Sequence, residues 1–525
     1  MTLKSCVSAG ILLAVSLSWS VPVVAQSPAS PAQDAALQER SEDDFSAIIT
    51  PEDVFNHIYF LASDALRGRD TPSAGLEAAA AYLVSEHRRM GLEPAGEDDT
   101  FYQRFPFQLQ GVGAGDVEVT LGEERLRLGE DFFLSGGSAE PIRGSVALLA
   151  GEYPTDETPN LNGSAAAVFP LQGPWGQELM VRADQQAGLA EQAGVKAAVH
   201  VLDGAFPEQG VAQAAEALAQ PRWMLGDDPP FPQIFLTRDA AERALANSAG
   251  TLEDFLARHP EGAPFQSAVA ELTLDAELPL NTVQTAYPPN VIAKIPGSDP
   301  ELRDEYIVLS AHFDHVGVGQ PMEGDSIYNG ADDNASGTTA LLEVARALRS
   351  LPEAPRRTVV FAHVSAEEKG LLGSEWFVDN PTIPIENVVA NINADMVGSD
   401  THADTVVIIG KEYSTLGELV EEVNSGLPEL GLVASPDLWP EQRLFYRSDQ
   451  YNFMRKEIPS LFFFTGLHEC YHQPCDTPDF VDPDKAARIA RLIAHTVVEI
   501  ANRDERPEWY PEGLEEVRQM TGAGR

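Results

Sequence analysis

The sequence predicts an α/β fold, in which a mixed, largely parallel sheet flanked by helices is interrupted by an inserted, mostly β module. Two observations carry this prediction. From residue 290 onward, short apolar runs alternate with helical runs, which is typical of strands buried on both faces between helices. Between residues 113 and 280, short β-type runs alternate instead with turns rich in Gly, Pro and Asp. The 525 residues provide enough chain for about three domains.

The first residues have the pattern of a secretory signal peptide. Lys4 precedes an apolar run from Cys6 to Val24, and small residues up to Ala25 offer a cleavage site. We expect residues 1–25 to be removed and residues 26–45 to be a flexible leader, which predicts a secreted or periplasmic protein. A retained membrane anchor is the alternative, because the run is close to the lower length for a membrane span.

The net charge of −46 narrows the range of partners. A strongly acidic surface repels nucleic acid and anionic lipid. We therefore expect no nucleic-acid partner and no membrane association after signal cleavage, and the oligomeric state stays open.

Helical patterns come first along the chain. Pro51 begins one helix, and a second runs from about Ala74 to Met90. In the module, a helix at Asp184–Ala193 precedes a strand at Lys196–Leu202, and another strand is expected at Gln233–Leu236.

The second half alternates strands and helices. Strands are predicted at Tyr306–Ser310, Thr358–Val364, Val388–Asn393, Thr405–Ile409 and Pro459–Phe464. Helices are predicted at Ser336–Arg349, Leu371–Asp379, Thr415–Asn424 and Pro483–Asn502, the last with Asp482 as its N-cap. In sheets of this kind, functional groups gather beyond the carboxyl ends of the strands.

Acids and imidazoles follow four of these strands and occupy one intervening loop. Several carboxylates in one cleft repel each other unless a cation holds them. Mixed imidazole and carboxylate ligands suit zinc, and such a set fits two ions about 3.5–4 Å apart. Adjacent Glu367 and Glu368 cannot both point the same way from an extended backbone, so one can bind metal while the other faces water. The residues concerned are His312, Asp314, Asp332, Glu367, Glu368, Asp395 and His472.

These motifs resemble the M28 family of zinc peptidases, which includes bacterial leucyl aminopeptidases and glutamate carboxypeptidases. The resemblance covers residues 51–112 and 285–503, and the insert is similar to a protease-associated domain. It implies a discontinuous zinc exopeptidase domain at 46–112 and 281–505, an inserted domain at 113–280 and a C-terminal tail at 506–525. The matching segments are 61–70, 312–314, 330–337, 367–374, 393–396 and 471–477.

The family resemblance also implies residue roles for two zinc ions. Asp332 would bridge the ions, with His312 and Asp395 at one and Glu368 and His472 at the other. Glu367 would be the general base, Tyr471 a hydrogen-bond donor to the tetrahedral intermediate, and Asp314 a residue that orients His312. A cis peptide bond is expected at Asp332–Asp333. We expect structural roles for His315, His363 and His495, whereas the role of His468 stays open.

The predicted function is therefore a secreted di-zinc exopeptidase, an aminopeptidase acting on peptides. The alternatives are a carboxypeptidase acting on acidic C-termini, a single-zinc glutaminyl cyclase, and a binding protein on an inactive peptidase fold.

Two cysteines, Cys470 and Cys475, remain after signal cleavage. In an exported protein they are expected to form one small disulfide loop beside Tyr471 and His472. The alternative is a pair of free thiols near the site.

Overall fold

A nine-stranded mixed sheet carries the site, and an eight-stranded sheet forms the inserted module. The computed structural model describes residues 44–150, 161, 163–172, 177–203, 208–226, 231–246 and 266–521. The predicted signal peptide and the leader up to residue 43 lie outside the described residues, so both stay predictions. Across the described ranges, no helix has the length and apolar character that a membrane span requires.

The strands are, in chain order, β1 (Glu93–Pro94), β2 (Tyr102–Arg104), β3 (Phe107–Val112), β4 (Glu118–Leu121), β5 (Glu124–Leu126), β6 (Phe132–Ser135), β7 (Ile142–Ala150), β8 (Ala166–Gln172), β9 (Ala197–Asp203), β10 (Arg222–Leu225), β11 (Gln233–Thr237), β12 (Gln266–Glu277), β13 (Leu280–Ala286), β14 (Pro289–Ile295), β15 (Tyr306–His312), β16 (Gly317–Met322), β17 (Asp325–Tyr328), β18 (Thr358–Val364), β19 (Val388–Ala394), β20 (Thr405–Ile409), β21 (Val433–Ser435) and β22 (Ser460–Phe464).

The α-helices are α1 (Pro51–Leu61), α2 (Ala74–Met90), α3 (Gln177–Gln192), α4 (Glu208–Ala219), α5 (Arg238–Leu245), α6 (Gly337–Ser350), α7 (Leu372–Asp379), α8 (Leu416–Ser425), α9 (Gln450–Arg455), α10 (Pro483–Asn502) and α11 (Pro511–Thr521).

The nine-stranded sheet has the order β1-β14-β18-β15-β19-β22-β20-β21, with β2 also paired to β14. Its central strands β18, β15, β19 and β22 are parallel, whereas β14 and β20 join them antiparallel. Every residue of β18, β19 and β22 is buried, as expected for strands covered on both faces. The predicted mixed sheet flanked by helices is confirmed.

Helix α10 shows why the flanking helices form where the pattern predicts them. Asp482 caps its first turn by accepting hydrogen bonds from the backbone N–H groups of Asp484 and Lys485, and Pro483 occupies the first helical position. Its apolar stripe, which includes Ile489 and Ile493, is buried in the same core as α6 and the sheet. The helix therefore fixes one face of the sheet that carries the site.

The inserted module is a second α/β layer. Its sheet has the order β5-β4-β12-β7-β8-β9-β11-β6, in which β7, β8, β9 and β11 are parallel. Helices α3, α4 and α5 accompany this sheet, which is more helix than the mostly β module we predicted. The excess lies partly in α4, whose Ala-rich sequence has high intrinsic helix propensity.

A connecting sheet of β10, β3 and β13 joins the module to the rest of the chain. Phe107 of β3 stacks on Trp223 of β10, with ring centroids 4.7 Å apart and 7° between the planes. Both rings belong to an apolar cluster that also contains Phe105 and Ala366. We call this set the aromatic cluster; it places the module against the turn that follows β18.

The residues that we predicted as a C-terminal tail pack onto the sheet domain as far as they are described. The indole N–H of Trp509 donates to the carbonyl oxygen of Glu457 at 2.8 Å, and Arg518 pairs with the Glu457 carboxylate at 2.7 Å. Val517 of α11 is buried. An amphipathic last helix explains this ordered end.

Candidate metal centre

The candidate site lies where the four central strands end. Parallel neighbours present the residues that follow them at the same edge of a sheet. The irregular turn Ala331–Ser336 joins this edge, because the Asn334 side-chain amide donates to the Ala394 carbonyl oxygen at the end of β19 at 3.0 Å. Seven imidazole and carboxylate side chains meet here in two groups, and within each group all the donor atoms lie within 4.8 Å of one another.

The first group contains His312, Glu367 and Asp395, and we call it the His312 group. His312 Nε2 lies 3.3 Å from Asp395 Oδ1 and 3.9 Å from Glu367 Oε2. The backbone positions differ, since His312 ends β15 whereas Asp395 follows β19. These three side chains lie close together, as predicted.

The second group contains His315, Asp333, Glu368 and His472, and we call it the His315 group. His472 Nε2 lies 3.1 Å from both Asp333 Oδ2 and Glu368 Oε2. His315 Nδ1 lies 2.8 Å from Glu368 Oε1 and 3.9 Å from Asp333 Oδ2. Glu368 and His472 are therefore placed together as expected, but two of the four members were not predicted.

Asp333, rather than Asp332, lies between the two groups. Its Oδ2 faces His472, and its Oδ1 is 3.4 Å from His312 Nε2 in the other group. This corrects the assignment of Asp332 as the bridging carboxylate. The cis peptide bond is also one residue further along than expected, at Asp333–Asn334. Two adjacent aspartates look alike in the sequence, and only the irregular path of the turn decides which one enters the site.

Asp332 has a different environment, although it is also buried. Its Oδ1 accepts a hydrogen bond from the Gly398 N–H at 2.7 Å, and its Oδ2 lies 3.3 Å from His468 Nε2. The Asp476 carboxylate accepts the backbone N–H groups of Asp332 and Asp333 at 2.8 and 3.0 Å. Asp332 and Asp476 thus support the turn that aims Asp333 at the site, and His468 belongs to this support.

A strained turn presents Glu367 and Glu368. Ala366, which precedes them, has φ of 59° and is fully buried in the aromatic cluster. Its N–H donates to Thr71 Oγ1 at 3.1 Å, and the Glu367 N–H donates to Asp314 Oδ1 at 3.3 Å. This turn directs the adjacent carboxylates into different groups, as their adjacency predicted.

Asp314 lies behind His312. Its Oδ1 is 3.7 Å from His312 Nδ1, and its Oδ2 accepts the Thr71 hydroxyl at 2.9 Å. Its backbone oxygen is nearer to the same ring nitrogen, at 3.2 Å. Asp314 therefore contacts both the His312 ring and the backbone of Glu367, a position suited to orienting them.

Arg69 fixes the backbone between the end of β15 and the Asp333 turn. Its fully buried guanidinium donates to the carbonyl oxygens of Leu61, Phe313, Asn329 and Gly330. Burial lowers its pKa to about 10, against the raising effect of nearby carboxylates. Phe313 and Asn329 flank the β16–β17 hairpin, so the Arg69 side chain holds the two ends of this hairpin together.

The loop that carries His472 is closed by a disulfide. Cys470 and Cys475 are bonded, with Cα atoms 5.3 Å apart, so the predicted bridge is confirmed. Tyr471 lies inside this loop and stacks on His472, with centroids 3.9 Å apart. Arg447 donates to the Tyr471 hydroxyl at 3.3 Å, and both side chains line the cleft.

The protonation of the metal-free site follows from charge balance. Burial opposes protonation of His312, but Asp395 and Glu367 raise its pKa well above its ordinary value. Likewise, burial opposes protonation of His472, but Asp333 and Glu368 raise its pKa to about 10. Protonated imidazoles therefore compensate the carboxylates when no cation is bound.

The carboxylates of the metal-free site also have shifted pKa values, in opposite directions. Burial raises the pKa of Glu367 well above its ordinary value. Burial and the Asp333 carboxylate also act to raise the pKa of Glu368, but His315 and His472 hold it at about 2. Glu368 is thus ready as an anionic ligand, and Glu367 has a high affinity for a proton.

The donor set fits metal ions. Imidazole nitrogens and carboxylate oxygens together are the ligands that zinc takes in catalytic sites. His315 Nδ1 and Glu368 Oε1 are buried and lie 2.8 Å apart, but neither makes a regular hydrogen bond to a described residue. A cation held by both groups would satisfy such atoms and replace the imidazole protons.

One wall of the cleft is apolar. Beside the two groups, the cleft is lined by Met396, Leu444, Phe462, Phe464 and Leu467. Trp439, at the edge of the same apolar cluster, packs edge-to-face on Phe464 at 6.3 Å. Among the described lining residues, Arg447 is the one side chain with a fixed positive charge.

Comparison with known proteins assigns the segment that carries the site. Residues 290–497 match the model of peptidase family M28. This segment is an M28 peptidase segment. The resemblance predicted from the motifs is therefore confirmed.

Relatives among curated proteins match only part of the chain. The probable leucine aminopeptidase 1 of Trichophyton verrucosum is 30% identical over 227 residues, which are 40% of this chain and 58% of that protein. Aminopeptidase Y of Saccharomyces cerevisiae is 28% identical over 271 residues, which are 46% of each chain. The chain thus spans about half the length of these relatives.

A solved aminopeptidase from Aneurinibacillus sp. strain AM-1 is also similar. Its TM-score is 0.47 at 20% identity, and the match covers 88% of this chain and 97% of that chain.

Sequence reasoning missed His315, which we expected to be structural. The available indication was its position three residues after His312, at the same strand end. By contrast, His363 lies 3.0 Å from His87 in the core, as expected of a structural residue. His315 follows the end of a strand, whereas His363 lies within β18, and this difference in position distinguishes the two histidines.

Proposed function

We propose that this protein is a secreted or periplasmic di-zinc aminopeptidase that prefers peptides with an apolar first residue. The observation that carries the proposal is that Asp333 faces two imidazole–carboxylate groups in one cleft. Two relatives of the M28 segment are named aminopeptidases, which supports the same class. The disulfide beside the site supports an oxidising compartment.

The zinc ions would be held by His312 and Asp395 on one side and by Glu368 and His472 on the other, with Asp333 shared. Ions in such sites acidify water and polarise the substrate carbonyl. Glu367 is then the general base: it takes a proton from the attacking water and returns it to the departing amine. Its position in the cleft suits that exchange.

Tyr471 is placed to assist at the carbonyl oxygen. Its hydroxyl lies at the cleft and accepts a hydrogen bond from Arg447, which leaves the phenolic proton available for donation. A donor of this kind stabilises the charge that develops on the carbonyl oxygen in the transition state. Asp314 acts one step further away, by orienting His312 and the backbone of Glu367.

The cleft also indicates which end of a peptide it receives. The net charge of −46 favours approach of the positive α-amino group, rather than of a carboxylate, to this cleft. The apolar wall around Phe462 and Phe464 offers the adjacent space to an apolar side chain. Arg447 is the observation that favours the second candidate, a carboxypeptidase, because it could pair with a substrate carboxylate.

A substrate panel tests the proposal. Leu-, Phe-, Glu- and Lys-anilides would be compared with N-acetyl-Leu-anilide and an N-blocked peptide ending in Glu. Each reaction would be run with zinc, after chelation, and after zinc is restored. We expect the Leu or Phe substrate to exceed Glu and Lys by at least about tenfold, with no cleavage of blocked substrates and full dependence on zinc.

Three results would contradict it. Cleavage of the N-blocked peptide at its C-terminal Glu would indicate the carboxypeptidase instead. Activity that survives complete chelation would remove the metal mechanism. A zinc-loaded protein that cleaves no peptide would favour the binding-protein alternative.

A further inference from the structure

His315 is fully buried, and its Nε2 has no hydrogen-bond partner among the described residues, whereas its Nδ1 faces Glu368 without the geometry of a regular hydrogen bond. Burying an imidazole nitrogen without a partner is costly, because it loses its bond to water. By contrast, the buried His87 and His363 lie within hydrogen-bond distance of each other through their Nε2 atoms. The structure therefore leaves a strong ligand atom without an assigned role.

The position of Nδ1 suggests what that role is. It lies 2.8 Å from Glu368 Oε1 and 3.9 Å from Asp333 Oδ2, and both carboxylates also contact His472. Two ligands of one zinc ion are at most about 4.2 Å apart, which is twice the usual bond length. His315 therefore meets the distance condition for sharing an ion with these two carboxylates.

The backbone opposite His315 is adapted to its ring. Gly330, at the start of the Asp333 turn, has φ of 63°, and a Cβ there would overlap the Cγ of His315. The glycine thus allows the imidazole to sit directly against the turn that presents Asp333. Arg69 holds the Gly330 carbonyl from another side, so the arrangement is fixed from both directions.

We propose that His315 is a metal ligand, which gives the His315 group four protein donors. This inference rests on the proposed function, in which the same group holds one of two zinc ions. The other ion would have three protein donors, His312, Asp395 and the shared Asp333, because Glu367 of the His312 group is the proposed base. Sites with four protein ligands are generally closed and structural, whereas three protein ligands leave a position for water or substrate.

The two ions would therefore differ in role. The ion of the His315 group is the more tightly held, and it fixes Asp333 for the other site. The ion of the His312 group has the open position, and Glu367 belongs to that same group. The general base is thus beside the ion that has room for the attacking water.

X-ray absorption of the two-zinc protein tests the ligand directly. If His315 is a ligand, we expect three imidazoles for two zinc ions, from His312, His315 and His472. If His315 only supports Glu368, the signal should show two imidazoles for two zinc ions. The His315→Asn variant should lose one imidazole from this signal. It should also weaken the tighter of the two zinc-binding steps by at least about 10- to 100-fold in competition with a chromogenic chelator.

The matched control is His57→Asn, which removes a half-buried imidazole on α1 outside both groups. We expect it to keep both zinc affinities. Two imidazoles per two zinc ions in the wild type would overturn the assignment, and so would an unchanged His315→Asn variant. Those outcomes leave the proposed function intact, whereas a wild type that binds no zinc would overturn both. If His315→Asn fails to fold, the wild-type imidazole count still decides.

Discussion

The inserted module and the metal centre each surround a histidine with polar side chains, but the charge of those side chains differs. In the module, the two ring nitrogens of His200 lie 2.9 and 3.0 Å from the side-chain amides of Gln186 and Gln233. Burial lowers the pKa of His200 to about 4, so it is neutral. In the metal centre, carboxylates surround His472 and raise its pKa to about 10 against the effect of burial.

The difference separates a structural polar cluster from one that is built for a ligand. Both ring nitrogens of His200 face neutral amide groups, so no carboxylate draws a proton onto this ring. In the centre, the imidazoles instead face carboxylates, and His315 Nε2 has no hydrogen-bond partner among the described residues. A buried histidine is therefore informative through the charge and completeness of its partners.

The largest expected effect comes from Glu367→Gln, which removes the general base. We expect kcat/KM to fall by about 10²- to 10⁴-fold, because a carboxamide cannot accept the proton. Zinc content should not change, since Glu367 is not one of the proposed ligands. Steady-state kinetics and metal analysis of the same sample would show both.

Glu191→Gln on α3 is the control from the module, because it makes the same substitution on an exposed carboxylate. It should match the wild type. A Glu367→Gln variant within tenfold of the wild type would contradict the assigned base.

The second prediction compares two adjacent aspartates. Asp333→Asn should weaken binding of both zinc ions by at least about 100-fold, since this carboxylate faces both groups. Asp332→Asn should weaken binding by no more than about tenfold, because Oδ1 can still accept the Gly398 N–H. Competition titrations would decide, and the reverse order would restore Asp332 as the bridging residue.

These two residues show the limit of the sequence prediction. The bounds of β18, β20, α2 and α10 were predicted correctly, because burial and capping patterns are local. The choice between Asp332 and Asp333 depends on the backbone of the Ala331–Ser336 turn, which hydrogen bonds from Asp476 support. Those bonds join residues far apart in the chain, so no local pattern contains them.

The same reason explains why His315 was missed. Its contacts with Glu368 and Gly330 form only when β18 and the β16–β17 hairpin have folded around it. By contrast, Glu367, Glu368 and Asp395 were found because they directly follow predicted strands. Sequence therefore predicts which edge of the sheet carries chemistry, but the exact members of a group require the tertiary structure.

The third prediction uses pH to distinguish the two kinds of histidine in metal-free protein. The folded-state pKa of His472 is raised to about 10, so its contribution to stability is present below about 6.5 and is lost as pH rises toward 10. The folded-state pKa of His200 is lowered to about 4, so stability is instead lost as pH falls from about 6.5 toward 4.

The Tm of chelated protein should therefore be highest near pH 6.5 and fall on both sides. Zinc should remove most of the loss on the alkaline side, because bound metal replaces the imidazole protons. His200→Gln should reduce the acid-side loss alone. An alkaline loss that zinc leaves unchanged would contradict this account of the metal centre.

The smallest expected effect tests whether the two regions are coupled through the aromatic cluster. Trp223 belongs to the module strand β10, and it stacks on Phe107, which packs in one cluster with Ala366 next to the general base. Trp223→Ala removes this stacking partner and loosens the support of the Ala366 turn. We expect kcat to fall by about three- to tenfold with unchanged zinc content, because small displacements of a base reduce rate without abolishing it. Leu126→Ala is the control, since it opens a cavity in the core of the module at a residue outside the aromatic cluster. It should lower Tm but leave kcat unchanged at temperatures where the protein is folded. If both variants lower kcat equally, the module acts through its general stability; if neither does, the turn keeps Glu367 in place without help from the module.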